Sequence, residues 1–131
     1  MKYLRNSSPD GIHFLMEFFG CDSHQLNSIE FWKKLLLDAI TRAEIKVLNK
    51  HSYQFSPYGT TGYLLLSASH ISIHTWPEFE YAACDVFSCV AEDESMGIVR
   101  HIKKNLQYKK VKTKKIKRGF KVNPKELLIS S

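Results

Sequence analysis

The chain has 131 residues, 44% of them hydrophobic, and a formal net charge of +6. That length fits one domain, 1–131, and the apolar fraction excludes a disordered chain. No run approaches the roughly 18 apolar residues of a membrane span. The opening MKYLRNSSPDG has no apolar leader core, so the chain is expected to be cytoplasmic. Cys21, Cys84 and Cys89 cannot all pair and show no CxxC spacing; they read as thiols of a reducing compartment. The charge is uneven: residues 1–99 hold 7 Lys/Arg against 12 Asp/Glu, and residues 100–131 hold 12 against 1. A basic segment can mark nucleic-acid binding, but only Tyr108 and Phe120 interleave these lysines, too few for a stacking platform. The simpler reading is a helix's polar face followed by an edge strand guarded by lysines.

In chain order, residues 1–11 read as a loose arm and IHFLMEFFG (12–20) as a strand closed by Gly20 and the polar run CDSHQLN. A helix follows, with Asn27 as N-cap, Glu30 three residues on, and a Leu26–Phe31 staple. Ile29, Trp32, Leu35, Leu36, Ala39, Ile40 and Ala43 repeat at helical spacing along one face. EIKVLNKHSYQF (44–55) alternates as a strand, and SPYGTTG (56–62) reads as a loop. YLLLSAS, HISIHTW and YAACDVFSC are strand-like. A second helix spans about Asp93 to Leu106, with Ile98, Val99, Ile102 and Leu106 inward. KKVKTKKIKRG (109–119) predicts a last strand that would need a bulge to turn both Val111 and Ile116 inward, and the tail after Pro124 is expected to fray. The order predicts an α+β two-layer sandwich, a mainly antiparallel sheet with two helices on one face. The other sheet face then needs a cover, which points to a partner.

Residues 64–89, LLLSASHISIHTWPEFEYAACDVFSC, concentrate the chemistry. With PEFE (77–80) as the turn, Trp76 lies near Tyr81, Ser69 faces residue 88 or 89, and His74 falls near Cys84, each within one residue. Ser69 and Cys89 become cross-strand neighbours, about 5 Å apart at Cβ if directly opposed. Ser69 and His74, five residues apart, point to opposite faces with roughly 16 Å between them. They can cooperate only through a sharp bend or across a symmetric interface, which predicts a homodimer with shared active sites. His70 and His74 share a face but stand about 13 Å apart, too far to hold one metal ion.

HSYQFSPYGTTGYLLLSASHISIHTWPEFEYAACDVFSC resembles the pattern HxFxPxGxxG followed by SESHxxIHTWPExxYAxVDxFTC of prokaryotic S-adenosylmethionine decarboxylases. The likeness extends to IHFLMEFFGCD near the start and KRG near the end, covering residues 11–119. The resemblance implies a proenzyme that makes its own pyruvoyl cofactor. The Ser69 hydroxyl attacks the Ala68 carbonyl, β-elimination cuts the chain, and a pyruvoyl group is left at residue 69, giving a β chain of 1–68 and an α chain of 69–131. It implies a Schiff base with the substrate, the carbonyl serving as electron sink for decarboxylation, in a polyamine (spermidine) biosynthesis role. His74 corresponds to the processing histidine, Thr61 to a processing hydroxyl, and Cys89 to the acid that reprotonates product. Phe55, Trp76 and Glu78 correspond to positions near the substrate, for adenine and ribose.

Two departures bear on substrate. Ala68 stands where the family usually has Glu, and Glu80 where it often has Gly; Cys84 replaces a usual Val. Relatives of this fold that decarboxylate arginine or ornithine are therefore an alternative reading. An inactive or regulatory relative and a basic nucleic-acid-binding module are lesser ones.

Overall fold

The computed structural model describes residues 9–43, 45–67 and 69–119. Most of the N-terminal arm, Ala68 and the tail after Pro124 lie outside the described residues. The elements run β1 (Gly11–Phe19), α1 (Ser23–Leu26), α2 (Ile29–Thr41), β2 (Val47–Gln54), β3 (Thr60–Leu66), β4 (Ser69–Trp76), β5 (Tyr81–Ser88), α3 (Glu92–Asn105) and β6 (Lys110–Arg118), with a 3₁₀ turn at Pro77–Phe79. The strands form one sheet ordered β2-β3-β4-β5-β1-β6, antiparallel throughout. β1 thus lies between β5 and the basic edge strand β6. The α+β sandwich expected from the sequence is the fold observed.

Period-2 alternation divides the sheet into two faces. Ile12, Phe14, Met16 and Phe18 of β1, Leu64 and Leu66 of β3, Ile71 and Ile73 of β4, and Ala82, Cys84 and Val86 of β5 are buried in the core beneath the helices. From α2 come Trp32, Leu35, Leu36, Ala39 and Ile40, and from α3 Ile98, Val99 and Ile102. These are the positions the helical spacing singled out. Each large aliphatic or aromatic side chain among them, taken out of water, contributes about 1.5–3 kcal/mol before entropy is counted.

The structure corrects four local expectations. The cap of α2 is Ser28, whose Oγ accepts from Phe31 N–H at 3.1 Å. Asn27 is diverted: its Oδ1 accepts from Gly59 N–H at 2.9 Å and from Gln54 Nε2 at 3.0 Å. The polar run before it holds the short helix α1, capped by Asp22 accepting from Gln25 N–H. Thr60–Gly62 belong to β3 rather than the loop, because they pair with Gln54–Ser52 of β2. β6 pairs with β1 in unbroken register, so Val111 lies opposite Phe18 and Ile116 opposite His13. With no bulge, the two point to opposite faces.

A buried chain of hydrogen bonds ties α1 and α2 to the end of the sheet. Trp32 Nε1–H donates to Thr60 Oγ1 at 2.7 Å, Thr60 and Thr75 hydroxyls bond at 2.8 Å, and Thr75 Oγ1 donates to the Leu26 carbonyl at 2.8 Å. Gly62 makes room for this, since a Cβ there would run into the Trp32 ring. We therefore predict that Gly62→Ala destabilises the fold by about 1–3 kcal/mol, read as a lower urea midpoint with unchanged m-value. An unaltered midpoint would show that the Trp32 ring moves aside freely.

Candidate active site

The β4–β5 hairpin sets the site. Its 3₁₀ turn ends at Glu80, which takes a left-handed backbone, φ 52°, and whose carbonyl accepts from Cys21 N–H at 2.9 Å. Trp76 pairs with Tyr81 as expected, their rings 5.6 Å apart. Counting back, Ser69 lies opposite Ser88, and His74 opposite Ala83. Of the two partners expected for Ser69, residue 88 is thus the one found. Cys89 sits one residue past the end of β5, and His74 is one step from Cys84. Both placements follow from the unbroken register set by the Trp76–Tyr81 pair.

The sequence-selected residues fall into two groups at opposite ends of the sheet. At one end, Ser69 opens β4 with its Oγ buried and without a hydrogen-bond partner among the described residues. Beside it are fully buried Ser88 and half-buried Cys89. At the other end, His74 Nδ1 and Thr61 Oγ1 are 2.6 Å apart, register partners on β4 and β3. Trp76 and Glu78 follow on the same hairpin. Phe55 stands exposed just past β2, its ring 4.9 Å from Tyr53. Its loop is closed by Phe55 N–H to the Gly59 carbonyl at 2.8 Å and by the Asn27 clamp. His74, Thr61 and Trp76 lie on the face without helices, whereas Ser69 shares the helix-side parity of Ile71 and Ile73. From Ser69 to His74 the strand covers roughly 16 Å. Within one chain, the two groups do not meet.

Between them, on the helix-free face, is a cluster that sequence reasoning did not single out. Asp85 accepts from His13 Nε2 at 2.6 Å and from His70 Nε2 at 3.3 Å, and Ser72 Oγ donates to its other oxygen. Arg118, which can only donate, lies 3.3 Å from His13 Nδ1, so Nδ1 accepts and the Nε2 proton points at Asp85. These two histidines and a carboxylate have metal-ligand chemistry and proximity. The donor directions instead make them a hydrogen-bonded carboxylate, with His13 Nε2 protonated and not free to ligate. Burial alone would push the Asp85 carboxyl up, but the hydrogen bonds from Ser72, His13 and His70 outweigh it and hold it below the usual range. The signal was present in the sequence as polar residues 70, 72 and 74 alternating with apolar Ile71 and Ile73. Elsewhere, burial pushes the Cys84 thiol up and the Cys21 thiol up to about 11. Both are inert core thiols.

Fold and site together define a two-layer α+β protein with a buried serine at the start of a central strand and a cysteine beside it. The sequence profile described as S-adenosylmethionine decarboxylase matches residues 12–119. The chain is 41% identical over 115 residues to an S-adenosylmethionine decarboxylase proenzyme of Sulfurihydrogenibium sp., covering 87% of this chain and 86% of that one. It is 39% identical over 119 residues to one from Clostridium botulinum, covering 91% and 97%. The crystal structure of the adenosylmethionine decarboxylase of Aquifex aeolicus superposes with a TM-score of 0.81 at 33% identity, covering 90% of this chain and 97% of that one. The chain belongs to the S-adenosylmethionine decarboxylase family.

The Asp85 cluster yields a pH prediction. A carboxyl whose folded pKa lies below its unfolded value, near 3.9, adds stability above that value and loses it as pH falls through the folded pKa. Wild-type stability is therefore expected to fall on acidification below about pH 4, and Asp85→Asn to remove part of that slope. At pH 7 the same variant loses about 1.5–3 kcal/mol, the usual worth of hydrogen bonds to a charged group. Parallel pH–stability curves for the two proteins would show that Asp85 is not held ionised.

Proposed function

We propose that this chain is a pyruvoyl-dependent decarboxylase of S-adenosylmethionine, made as a precursor that cuts itself between Ala68 and Ser69. The reaction would supply the aminopropyl donor for polyamine synthesis, in the cytoplasm, where its three unpaired thiols are stable. The observation that carries the proposal is the Ser69 hydroxyl, buried and without a partner among the described residues at the first residue of β4. A buried polar atom left unpaired is unfavourable in a purely structural role, and it fits a position where a hydroxyl is consumed to leave a carbonyl. The pyruvoyl carbonyl, once formed, supplies the electron sink that decarboxylation needs.

The chain's own residues have separable tasks in this reading. Thr61 and His74, within hydrogen-bond reach, move protons during cutting. Cys89, at the end of β5 beside Ser69, delivers the proton that completes the product. Phe55 and Trp76 offer exposed aromatic faces to adenine, and Glu78 offers a carboxylate to the ribose hydroxyls. Ser69 with Cys89 and Thr61 with His74 lie at opposite ends of one sheet, so a complete site needs two chains. The helix-free face suits a two-fold interface: Leu15, Tyr63, Leu65 and Trp76 are exposed there. Several of its polar groups already pair with one another, Asp85 with three donors and Tyr81 with Glu17 at 2.7 Å. Covering that face would bury this apolar area while leaving the Asp85 and Tyr81 groups paired.

Denaturing mass spectrometry is expected to show two pieces split at residue 69, and the intact 15.2 kDa chain for Ser69→Ala. Cys89→Ala should still be cut, with turnover lowered at least 100-fold. Carbon dioxide release from labelled S-adenosylmethionine, arginine and ornithine identifies the substrate; release only from arginine or ornithine would refute the assignment. Sedimentation is expected to give twice the chain mass, and a monomer with full activity would refute the shared site.

A further inference from the structure

Two buried hydroxyls face each other across β4 and β5, and the role inferred for the second rests on the reading of Ser69 as the self-cleaving residue. Ser88 is the register partner of Ser69 and is fully buried. Its Oγ accepts from Val90 N–H at 3.2 Å. That bond fixes the oxygen and leaves the Ser88 proton free to be given. Ser69 Oγ, by contrast, is buried and finds no partner among the described residues.

Self-cleavage changes what the residue-69 oxygen can do. As a hydroxyl it donates and accepts; as an ester oxygen it only accepts. In the first step Ser69 Oγ bonds to the Ala68 carbonyl carbon, the C–N bond breaks, and the hydroxyl proton ends on the Ser69 nitrogen. In the second, a base removes the Cα proton of residue 69 and its electron pair forms the Cα–Cβ double bond. The Cβ–Oγ bond then breaks with its electrons on Oγ, which departs as part of the Ala68 carboxylate. Negative charge therefore develops on the oxygen attached to residue 69.

We propose that Ser88 is a catalytic residue of self-cleavage, donating its hydroxyl proton in a hydrogen bond to the residue-69 oxygen as that oxygen becomes an ester and then a leaving carboxylate. Ser88 Oγ is not hydrogen-bonded to Ser69 Oγ in the uncut chain, so this donor engages only as charge develops, and removing a donor to such charge slows acyl chemistry by about 100- to 1000-fold in the best-built sites. For one neutral hydroxyl, we expect tenfold or more.

An isosteric pair isolates the hydroxyl: Ser88→Thr keeps it, whereas Ser88→Val puts a methyl in its place. Each precursor is made in a cell-free pulse, and its cutting is followed by denaturing electrophoresis. Ser88→Thr is expected to cut within about threefold of wild type and Ser88→Val at least tenfold more slowly. Equal rates for Thr and Val overturn the proposal, because shape and not the donor would then matter. Ser88→Ala, which adds no bulk, guards against misfolding; cutting at the wild-type rate by this variant overturns the proposal as well. A wild type that is never cut at residue 69 would instead remove the Ser69 reading, and Ser88's role with it.

Discussion

The parity of β4 and β5 governs this molecule. Because only one face of the sheet is covered by helices, each strand sends alternate residues to the core and to an open surface. Odd residues of β4 continue into the core as Ile71 and Ile73, and even residues, His70, Ser72, His74 and Trp76, go to the open face. A shift of pairing by one residue would exchange the two sets. The turn of Pro77–Phe79 with left-handed Glu80 sets that pairing. The Cys21 N–H bond to the Glu80 carbonyl then ties the turn to the chain just beyond β1. The same parity keeps Ser69 away from His74, which is why the proposed site draws on two chains.

The open face is neither a normal solvated surface nor a core. It carries large exposed apolar side chains beside a carboxylate that is nearly saturated with donors. A surface carboxylate does not need three side-chain donors, because water supplies them. A carboxylate due to be covered does need them, since an unpaired buried charge is strongly destabilising. Asp85, already largely buried in the single chain, is satisfied by Ser72, His13 and His70, an arrangement that would also suit the covered face of the proposed dimer. Arg118 extends the arrangement: it donates to His13 and lies with its guanidinium 4.7 Å from the Phe87 ring centre. Through it, the edge strand takes part in orienting the histidine. The cluster thus links β1, β4, β5 and β6 on the face where the two half-sites would be joined.

Element types were legible because their periods are clean. The apolar spacing of α2 and the alternation of IHFLMEFF and YAACDVFS predict the faces the structure shows. Boundaries were less so, for reasons that depend on distant partners. Asn27 and Ser28 are equally good caps by sequence; the role fell to Ser28 because Gly59 and Gln54, 27 to 32 residues away, occupy the Asn27 oxygen. Thr60–Gly62 read as loop because two threonines and a glycine lack an apolar pattern, yet Trp32 demands the glycine and hydrogen-bonds to Thr60. In β6, an inward Ile116 was expected from hydrophobicity alone. The unbroken pairing with β1 sends it to the open face beside His13. The individual chemical residues of the candidate site were legible through their resemblance to a family. Asp85 was not, because its role depends on three strands meeting.

The chain's positive charge says little about its chemistry. S-adenosylmethionine carries a sulfonium, an ammonium and a carboxylate, so it is a net cation, and by net charge alone a protein at +6 would repel it. The cations, however, are concentrated in α3 and β6, and β6 is three strands from β4. At about 4.8 Å per strand that is roughly 14 Å, beyond a screening length of about 8 Å at physiological salt. Nearer the exposed aromatic residues stand Glu78 and Glu80, on the hairpin turn. Lys112 and Lys114 of β6 nevertheless line the open-face cavity that His74 also borders, so carboxylates and lysines both contribute to the field there. Net charge thus says little about a cationic ligand held at that end of the sheet, where acidic and basic side chains stand together.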